Sequence, residues 1–429
     1  MKKWLCLTLA FVMLLGLVAC GESGSGENTQ KGEFQVGFGK IDITPAEPIH
    51  LASYGDADTR ISEGALHPLY TIAIVMKDAD GNTMIMITTD LSQGGHTIMN
   101  ELRPMITEKY GVQSDHITIG GTHNHNAPDY GYNDDYDQKW KDVYKNGCLD
   151  AVQMAMDDLA PATVEIGRTE TENVTFVRRY LLENGEYTGD NFNMDYTSPI
   201  KAHESEADEE IQLVRYVREG DKKDIVMVNW QSHAAKHGHT NYLSADYPGA
   251  LRDKVEAEMD VHCVFYQGAA GNLNPSSRID GEAAVDGSGY QKAEAVGELV
   301  ADYVIKALNT EGLMKQINTG TINTKQDNFI GQDSFDETNT ITCGDLSFVT
   351  LPVEFFDSLG KQIKDETPYE MTVLMGYHCG NGQYLATYDA YLHGGYEPRN
   401  SRYRAGEGEK FVEHYLNTLN EMYTAENPQ

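Results

Sequence analysis

Alternating apolar and polar positions over residues 34–45, followed by two apolar runs at 70–77 and 83–89, give the start of the chain a β-rich pattern. Asp78-Ala79-Asp80-Gly81-Asn82, between those runs, has the composition of a hairpin turn. The period lengthens to that of a helix over 96–110, and residues 116–121 return to an apolar strand, a strand, helix, strand order that builds mixed or parallel sheets. A second helical pattern covers 138–159 and is expected to stop before Pro161. Short strands are predicted at 163–167 and 211–217, with a polar surface loop at 203–210 between them. A strong apolar strand at 224–230, a helix at 247–259 and a buried strand at 261–267 follow, and 290–308 is the clearest amphipathic helix. Strands resume at 319–324 and 346–351, and a helix is predicted at 410–423. No internal repeat is visible, and no linker follows Glu33. The pattern predicts an α/β domain over 34–429, a mixed β-sheet core flanked by helices.

The first residues change the picture of where this domain works. Met1-Lys2-Lys3, an apolar stretch over 4–17 and Leu17-Val18-Ala19-Cys20 have the form of a secretory signal ending in a bacterial lipobox, so residues 1–19 are read as a signal peptide and Cys20 as the lipidated first residue. Residues 20–33, rich in Gly, Ser and Glu, are read as a flexible tether. The expected location is extracytoplasmic, as a bacterial lipoprotein held to the membrane only through its anchor. Removing residues 1–19 takes away two lysines and no acid, leaving 31 basic and 66 acidic residues and a net charge of −35. That charge excludes nucleic acid as a partner and gives no attraction to an anionic membrane surface. Cys148, Cys263, Cys343 and Cys379 lie far apart with no Cys-x-x-Cys spacing, so a zinc ribbon is not expected; a disulfide among them is left open.

Chemistry collects at the predicted strand ends. Thr122-His123-Asn124-His125 closes the strand at 116–121 and offers two imidazoles one residue apart. His233 follows the strand at 224–230, Asn272 and Asn274 follow that at 261–267, and Glu354 follows that at 346–351. The carboxyl edge of an open α/β sheet is where ligands bind, and two imidazoles, a carboxylate and an open position make a catalytic zinc shell. His237 and His239, in a Gly-containing loop, rank second for the role.

In order, these residues resemble blocks of the neutral/alkaline ceramidases. Val36-Gly37-Phe38-Gly39-Lys40-Ile41-Asp42-Ile43-Thr44 is similar to that family's first strand, and Thr122-His123-Asn124-His125-Asn126-Ala127-Pro128 to its Thr-His-x-His-Ser-x-Pro block. His233 with Ser244-Ala245-Asp246-Tyr247-Pro248-Gly249, then Gly271-Asn272-Leu273-Asn274-Pro275, then Pro352-Val353-Glu354-Phe355, then Tyr384 and Tyr396, resemble the later blocks. The resemblance covers about residues 36–396. It implies zinc held by His123, His233, Glu354 and Tyr384, with His125 and Tyr396 facing the scissile amide and an arginine, Arg178 or Arg179, orienting substrate. It further implies hydrolysis of an N-acyl bond, with a small-molecule or lipid N-acyl substrate.

Two departures from the family pattern bear on mechanism. Asn274 stands where the family has its active-site serine, and an amide cannot act as an alkoxide nucleophile, although it can donate a hydrogen bond to an oxyanion. The expected route is therefore a metal-activated water, zinc lowering its pKa toward about 7, with His125 moving the proton. The family's further β-sandwich domain has no counterpart after residue 405 in the sequence given. Two alternatives stand beside the amidase: a zinc hydrolase of an ester, phosphoester or N-acetyl sugar, and a surface binding lipoprotein that has lost activity.

Overall fold

A computed structural model describes residues 32–92, 96–131, 134–189, 196–380 and 382–428. The signal and lipobox expectations, and most of the tether, fall on residues 1–31 and lie outside the described residues. The main elements repeat a pattern three times. The first motif is β1 (Gln35–Asp42), β2 (Tyr70–Lys77), β3 (Thr83–Thr89), α1 (His96–Tyr110) and β4 (Ile117–Gly121), followed by α2 (Asp135–Asp157). The second is β5 (Ala160–Glu170), β6 (Glu210–Arg218), β7 (Ile225–Trp230), α3 (Asp246–Met259) and β8 (His262–Gln267), followed by α4 (Tyr290–Leu308). The third is β9 (Ile322–Ile330), β10 (Phe335–Cys343), β11 (Leu346–Leu351), α5 (Asp357–Glu366) and β12 (Met371–Gly376); α6 (Glu407–Glu426) comes last. In each motif three strands pair antiparallel, a helix crosses over, and the fourth strand pairs parallel to the third. Parallel pairing requires such a crossover, whereas antiparallel neighbours need only a turn.

The first two motifs join through antiparallel pairing of β1 with β5 into a nine-stranded sheet, ordered β8-β7-β6-β5-β1-β2-β3-β4, with Lys315–Ile317 beside β5. The third makes a separate sheet, β9-β10-β11-β12. The two sheets bury their inner faces together, Ile74, Met86, Val214 and Met227 meeting Ile341, Phe348 and Val373. The outer faces are covered by α1 and α2, by α3 and α4, and by α5 and α6. The result is helix, sheet, sheet, helix, a four-layer form of the mixed core flanked by helices that the sequence pattern implies. The glycines of β1 belong to this packing. A Cβ on Gly37 or Gly39 would lie 1.9 or 2.0 Å from the carbonyl oxygens of Ala155 and Ala151, so α2 can rest directly on the strand only because both side chains are absent.

Several predicted elements shift. Pro161 does not merely end α2; it lies inside β5, paired to Gln35 at the seam between motifs. The loop at 203–210 is not wholly superficial, because Asp208 is buried and paired with Lys364 at 2.6 Å. β10, α5 and β12 have no counterpart in the sequence reading: β10 carries Asp336, Glu337, Thr338, Asn339 and Thr340 in succession, and α5 is only ten residues long with no side-chain N-cap. The repeat is likewise invisible in the residues, since the three motifs share strand order and not sequence. Cys148, Cys263, Cys343 and Cys379 are all buried free thiols. No helix among the described residues is long and apolar enough to cross a membrane.

Candidate metal and hydrolytic site

The repeat decides where the polar groups meet. The parallel pairs end at Thr89 opposite Gly121, Trp230 opposite Gln267, and Leu351 opposite Gly376. Three residues beyond the third strand of each motif lie Ser92, His233 and Glu354, while His123 lies two residues beyond β4. Close approach of these loops again depends on absent side chains: a Cβ on Gly271 would lie 2.4 Å from the Glu354 carbonyl oxygen.

Four side chains converge. His123 Nε2 is 3.2 Å from His233 Nε2 and 3.2 Å from His125 Nε2. Glu354 Oε2 is 3.4 Å from His123 Nε2 and 3.3 Å from His233 Nε2. The far nitrogens settle the tautomers of two rings. His123 Nδ1 lies 3.1 Å from the Ser92 carbonyl oxygen and His233 Nδ1 lies 2.7 Å from that of Ala270. A carbonyl only accepts, so both Nδ1 atoms carry the proton and both Nε2 atoms present lone pairs to each other. Glu354 Oε2 is buried with no hydrogen-bond donor. Two lone pairs and a carboxylate oxygen within such distances repel unless a positive charge lies among them, so the donor set fits a divalent cation; imidazole, imidazole and carboxylate suit zinc. His125 differs in one respect: its Nδ1 is buried and has no partner, and its contact with the His123 lone pair is made by Nε2, which carries the proton.

Electrostatics follow the same geometry. Burial, with the neighbouring Arg178 and His123, pushes His233 down to about 3, and burial with the two nearby imidazoles holds His125 well below its ordinary value. Both rings are therefore neutral near neutral pH, the form in which imidazole binds a metal.

Arg178 and Arg179 are told apart by their contacts. Arg178 donates from Nε to Glu397 at 2.8 Å and from Nη2 to the Gly271 carbonyl at 2.9 Å and to the Tyr384 hydroxyl at 3.1 Å. Arg179 turns the other way, donating to Glu204, to Glu397 at 3.1 Å and to the Gly394 carbonyl at 2.8 Å. Tyr384 sits beside Glu354 through the short parallel pairing of Glu354–Phe355 with Tyr384–Leu385, and its ring meets that of Tyr396 edge-on at 5.6 Å. A cleft of about 430 Å³ opens over His125 and His233, with Arg178, Asn274, Ser276 and Arg278 on its walls. Arg179 is not among the residues lining it. His237 and His239 do not join the cluster; His237 Nδ1 meets Ser244 Oγ at 3.1 Å and His239 pairs with Asp56 at 2.7 Å. Asn272 is spent on the start of α5, exchanging hydrogen bonds of 2.7 and 2.9 Å with Asp357. A separate His50, Asp134 and Asp137 cluster is accounted for by the capping box of α2, in which Asp134 and Asp137 receive backbone N–H groups.

Three residues at the site carry no signal in the sequence reading. Tyr54, whose ring meets His125 edge-on at 5.2 Å, lies in a loop far upstream. Tyr377 stacks on His123, and Lys236 holds the cleft wall through Ser276. Their residue types and spacing match no ligand or acid-base pattern.

The sequence model of the family described as "Neutral/alkaline non-lysosomal ceramidase, N-terminal" matches residues 34–269, more than half of the chain. The chain belongs to this family. Neutral ceramidase of Drosophila pseudoobscura pseudoobscura is 28% identical over 123 residues, a match that spans 28% of this chain and 16% of the fly protein. The neutral ceramidase of Pseudomonas aeruginosa superposes with a TM-score of 0.74 at 15% identity, covering 90% of this chain and 73% of the bacterial structure. A ceramidase complexed with C2 gives 0.69 at 16% identity, covering 90% and 74%. These structures establish that the two-sheet fold is that of the ceramidases.

Proposed function

We propose that this chain is a zinc-dependent hydrolase of an N-acyl amide. The observation that carries the reading is the meeting of two Nε2 lone pairs and the donorless Glu354 oxygen within 3.2 to 3.4 Å, in a ceramidase fold. His123, His233 and Glu354 would hold the metal, with the Tyr384 hydroxyl beside them. Bound there, zinc supplies a Lewis acid and a water acidic enough to attack at neutral pH. His125 takes the proton from the attacking water and returns it to the leaving amine, a role that suits the one imidazole of the cluster whose far nitrogen is not held by a carbonyl. Arg178 holds the Tyr384 hydroxyl, and Asn274, on the cleft wall, donates to the developing oxyanion where the family has serine.

The cleft narrows the substrate class. Among the described residues no Leu, Ile, Val, Phe or Met side chain lines it, whereas Ser276, Ser277, Ser288, Arg278 and Asp286 do. A phosphate site would gather cations without a carboxylate, and a dedicated acyl channel would be apolar. The reading is an N-acyl compound whose polar part lies beside His125.

The test is zinc stoichiometry of the purified protein, with turnover of N-acyl lipids, N-acyl amino acids and acetylated sugars by wild type and His123→Ala. Stoichiometric zinc, turnover of one class, and a loss of zinc affinity in His123→Ala beyond the 10 to 100-fold typical of an outer-shell partner are expected. Turnover of none of them by zinc-loaded protein would overturn the amidase. We further propose that Cys20 carries the lipid; labelled palmitate should enter wild type and not Cys20→Ala.

A further inference from the structure

Tyr377 lies at the first position beyond β12, and its backbone is in the left-handed region, φ +59°. Glycine adopts that region without cost, and a bulky aromatic does so only where the surroundings impose it. The following residues do impose it. Gly120 and His378 form a bridge between strand ends, Cys379 N donates to the Ile119 carbonyl at 2.9 Å, and His378 Nδ1 meets the Gly376 carbonyl at 2.9 Å. A Cβ on Gly120 would lie 2.0 Å from the His378 ring, so the seat is closed on that side as well. A segment built so tightly to hold a tyrosine in a disfavoured conformation is using its side chain.

That side chain lies flat on His123, ring centroids 3.9 Å apart and planes within 9°. His123 is itself at φ +59°. Its imidazole is thus fixed by the Ser92 carbonyl on its edge and by Tyr377 on its face. Tyr377 is 3% exposed, and its hydroxyl has no hydrogen-bond partner. The charged and titratable groups near enough to act on it are Glu354, Tyr384, Arg178 and Tyr247, the first three of which belong to the site. A buried hydroxyl with no partner is costly unless a bound molecule completes it.

We propose that Tyr377 is a positioning residue of the hydrolytic site, its ring fixing the plane of His123 and its hydroxyl held to donate a hydrogen bond to an oxygen of the bound amide. The inference rests on the metal-hydrolase reading, since it takes His123 as a ligand. It adds to the site a residue whose ring acts through His123 and whose hydroxyl acts on the substrate.

Two variants separate these roles. Tyr377→Phe keeps the ring and removes only the hydroxyl: zinc affinity and the cobalt-substituted absorption spectrum should match wild type, while kcat falls about 100-fold with KM little changed. Tyr377→Leu removes the stack: zinc affinity should fall about 10-fold or more and the cobalt spectrum should change, as when an outer-shell partner of a metal ligand is lost. Wild-type kcat in Tyr377→Phe overturns the hydroxyl's role, and wild-type zinc affinity in a folded Tyr377→Leu overturns the ring's. If Tyr377→Leu does not fold, Tyr377→Met, longer and also without a ring, replaces it: its cobalt spectrum should change while that of Tyr377→Phe does not, and a wild-type spectrum in Tyr377→Met overturns the ring's role. Failure of wild type to bind zinc at all is a different result and counts against the metal reading itself.

Discussion

At the scale of single residues, what distinguishes the site is how each histidine's second nitrogen is spent. His123 and His233 give theirs to carbonyls and so present fixed lone pairs, whereas His125 keeps its own without a partner. The sequence shows three histidines and a glutamate after strands; it cannot show which carbonyl each ring faces, because Ser92 and Ala270 lie in other loops. Burial sets a second residue-scale effect away from the metal. Asp357 is fully buried, and desolvation pushes it up to about 6 despite hydrogen bonds from Asn272 and the backbone. A carboxyl whose folded pKa is raised binds more protons folded than unfolded between about pH 4 and 6, so its stabilising contribution is full at the acid end and is lost as pH rises through 6. Asp357→Asn should therefore unfold at a denaturant midpoint that gains on wild type as pH goes from 4 to 7. Parallel pH dependences of the two proteins would show that Asp357 does not titrate this way.

At the scale of elements, legibility followed periodicity. β2, β3, α1, α4 and β11 lie where the apolar pattern puts them, the strands being apolar runs buried on both faces and α4 burying one stripe of small and branched residues. The strands bearing His123, His233 and Glu354 are central and strongly apolar, which is why their ends could be found. β10 and α5 are not legible because their polar residues are buried by tertiary partners: Asn339 N donates to Thr350 Oγ1, and Lys364 is ion-paired with Asp208. The cleft wall, residues 275–288, is an element of another kind, irregular and tied down by side chains from elsewhere: His203 meets Ser277 and Glu282, Tyr180 accepts from the Arg278 N–H, and Lys236 makes three bonds to it. Lys236 Nζ donates to the carbonyls of Pro275 and Val285 at 2.6 Å each and to Ser276 Oγ at 2.9 Å. A methionine of similar length makes none of these bonds and leaves three acceptors unfilled. Lys236→Met should raise KM about 10-fold, with zinc content unchanged, because the wall moves while the ligands do not. Unaltered KM, measured on whichever amide proves to be turned over, would show that the wall holds its place without the lysine.

For the whole molecule the central fact is that the site belongs to no single motif: His123 comes from the first, His233 from the second and Glu354 from the third. Nothing in the sequence displays this, since the three motifs agree in strand order alone. The arrangement requires that the motifs be fixed against one another to within a fraction of an ångström, and β1 pairs with β5 at only two positions. A buried ion pair between the first two motifs adds to that pairing. Arg252 of α3 donates to both oxygens of Asp90, just beyond β3, at 2.7 and 2.6 Å, both side chains being 1% exposed. Asp90 Oδ2 also receives the Tyr70 N–H at 2.8 Å, and the Asp90 carbonyl receives the Asn124 amide at 3.1 Å, between the two candidate histidines. The pair thus ties the second motif to the loop that carries His123. Removing one partner strands the other charge in a dry interior, which costs about 3 to 5 kcal/mol. Asp90→Ala should lose that much unfolding free energy and, in the fraction that remains folded, bind zinc more weakly. The paired replacement Asp90→Leu with Arg252→Met removes both charges, and should recover most of the stability. Zinc affinity then separates two accounts of the bolt: it returns with stability if the pair only holds the motifs together, and stays low if the Asp90 carboxylate, through the Tyr70 N–H, also places the backbone carbonyl that holds Asn124.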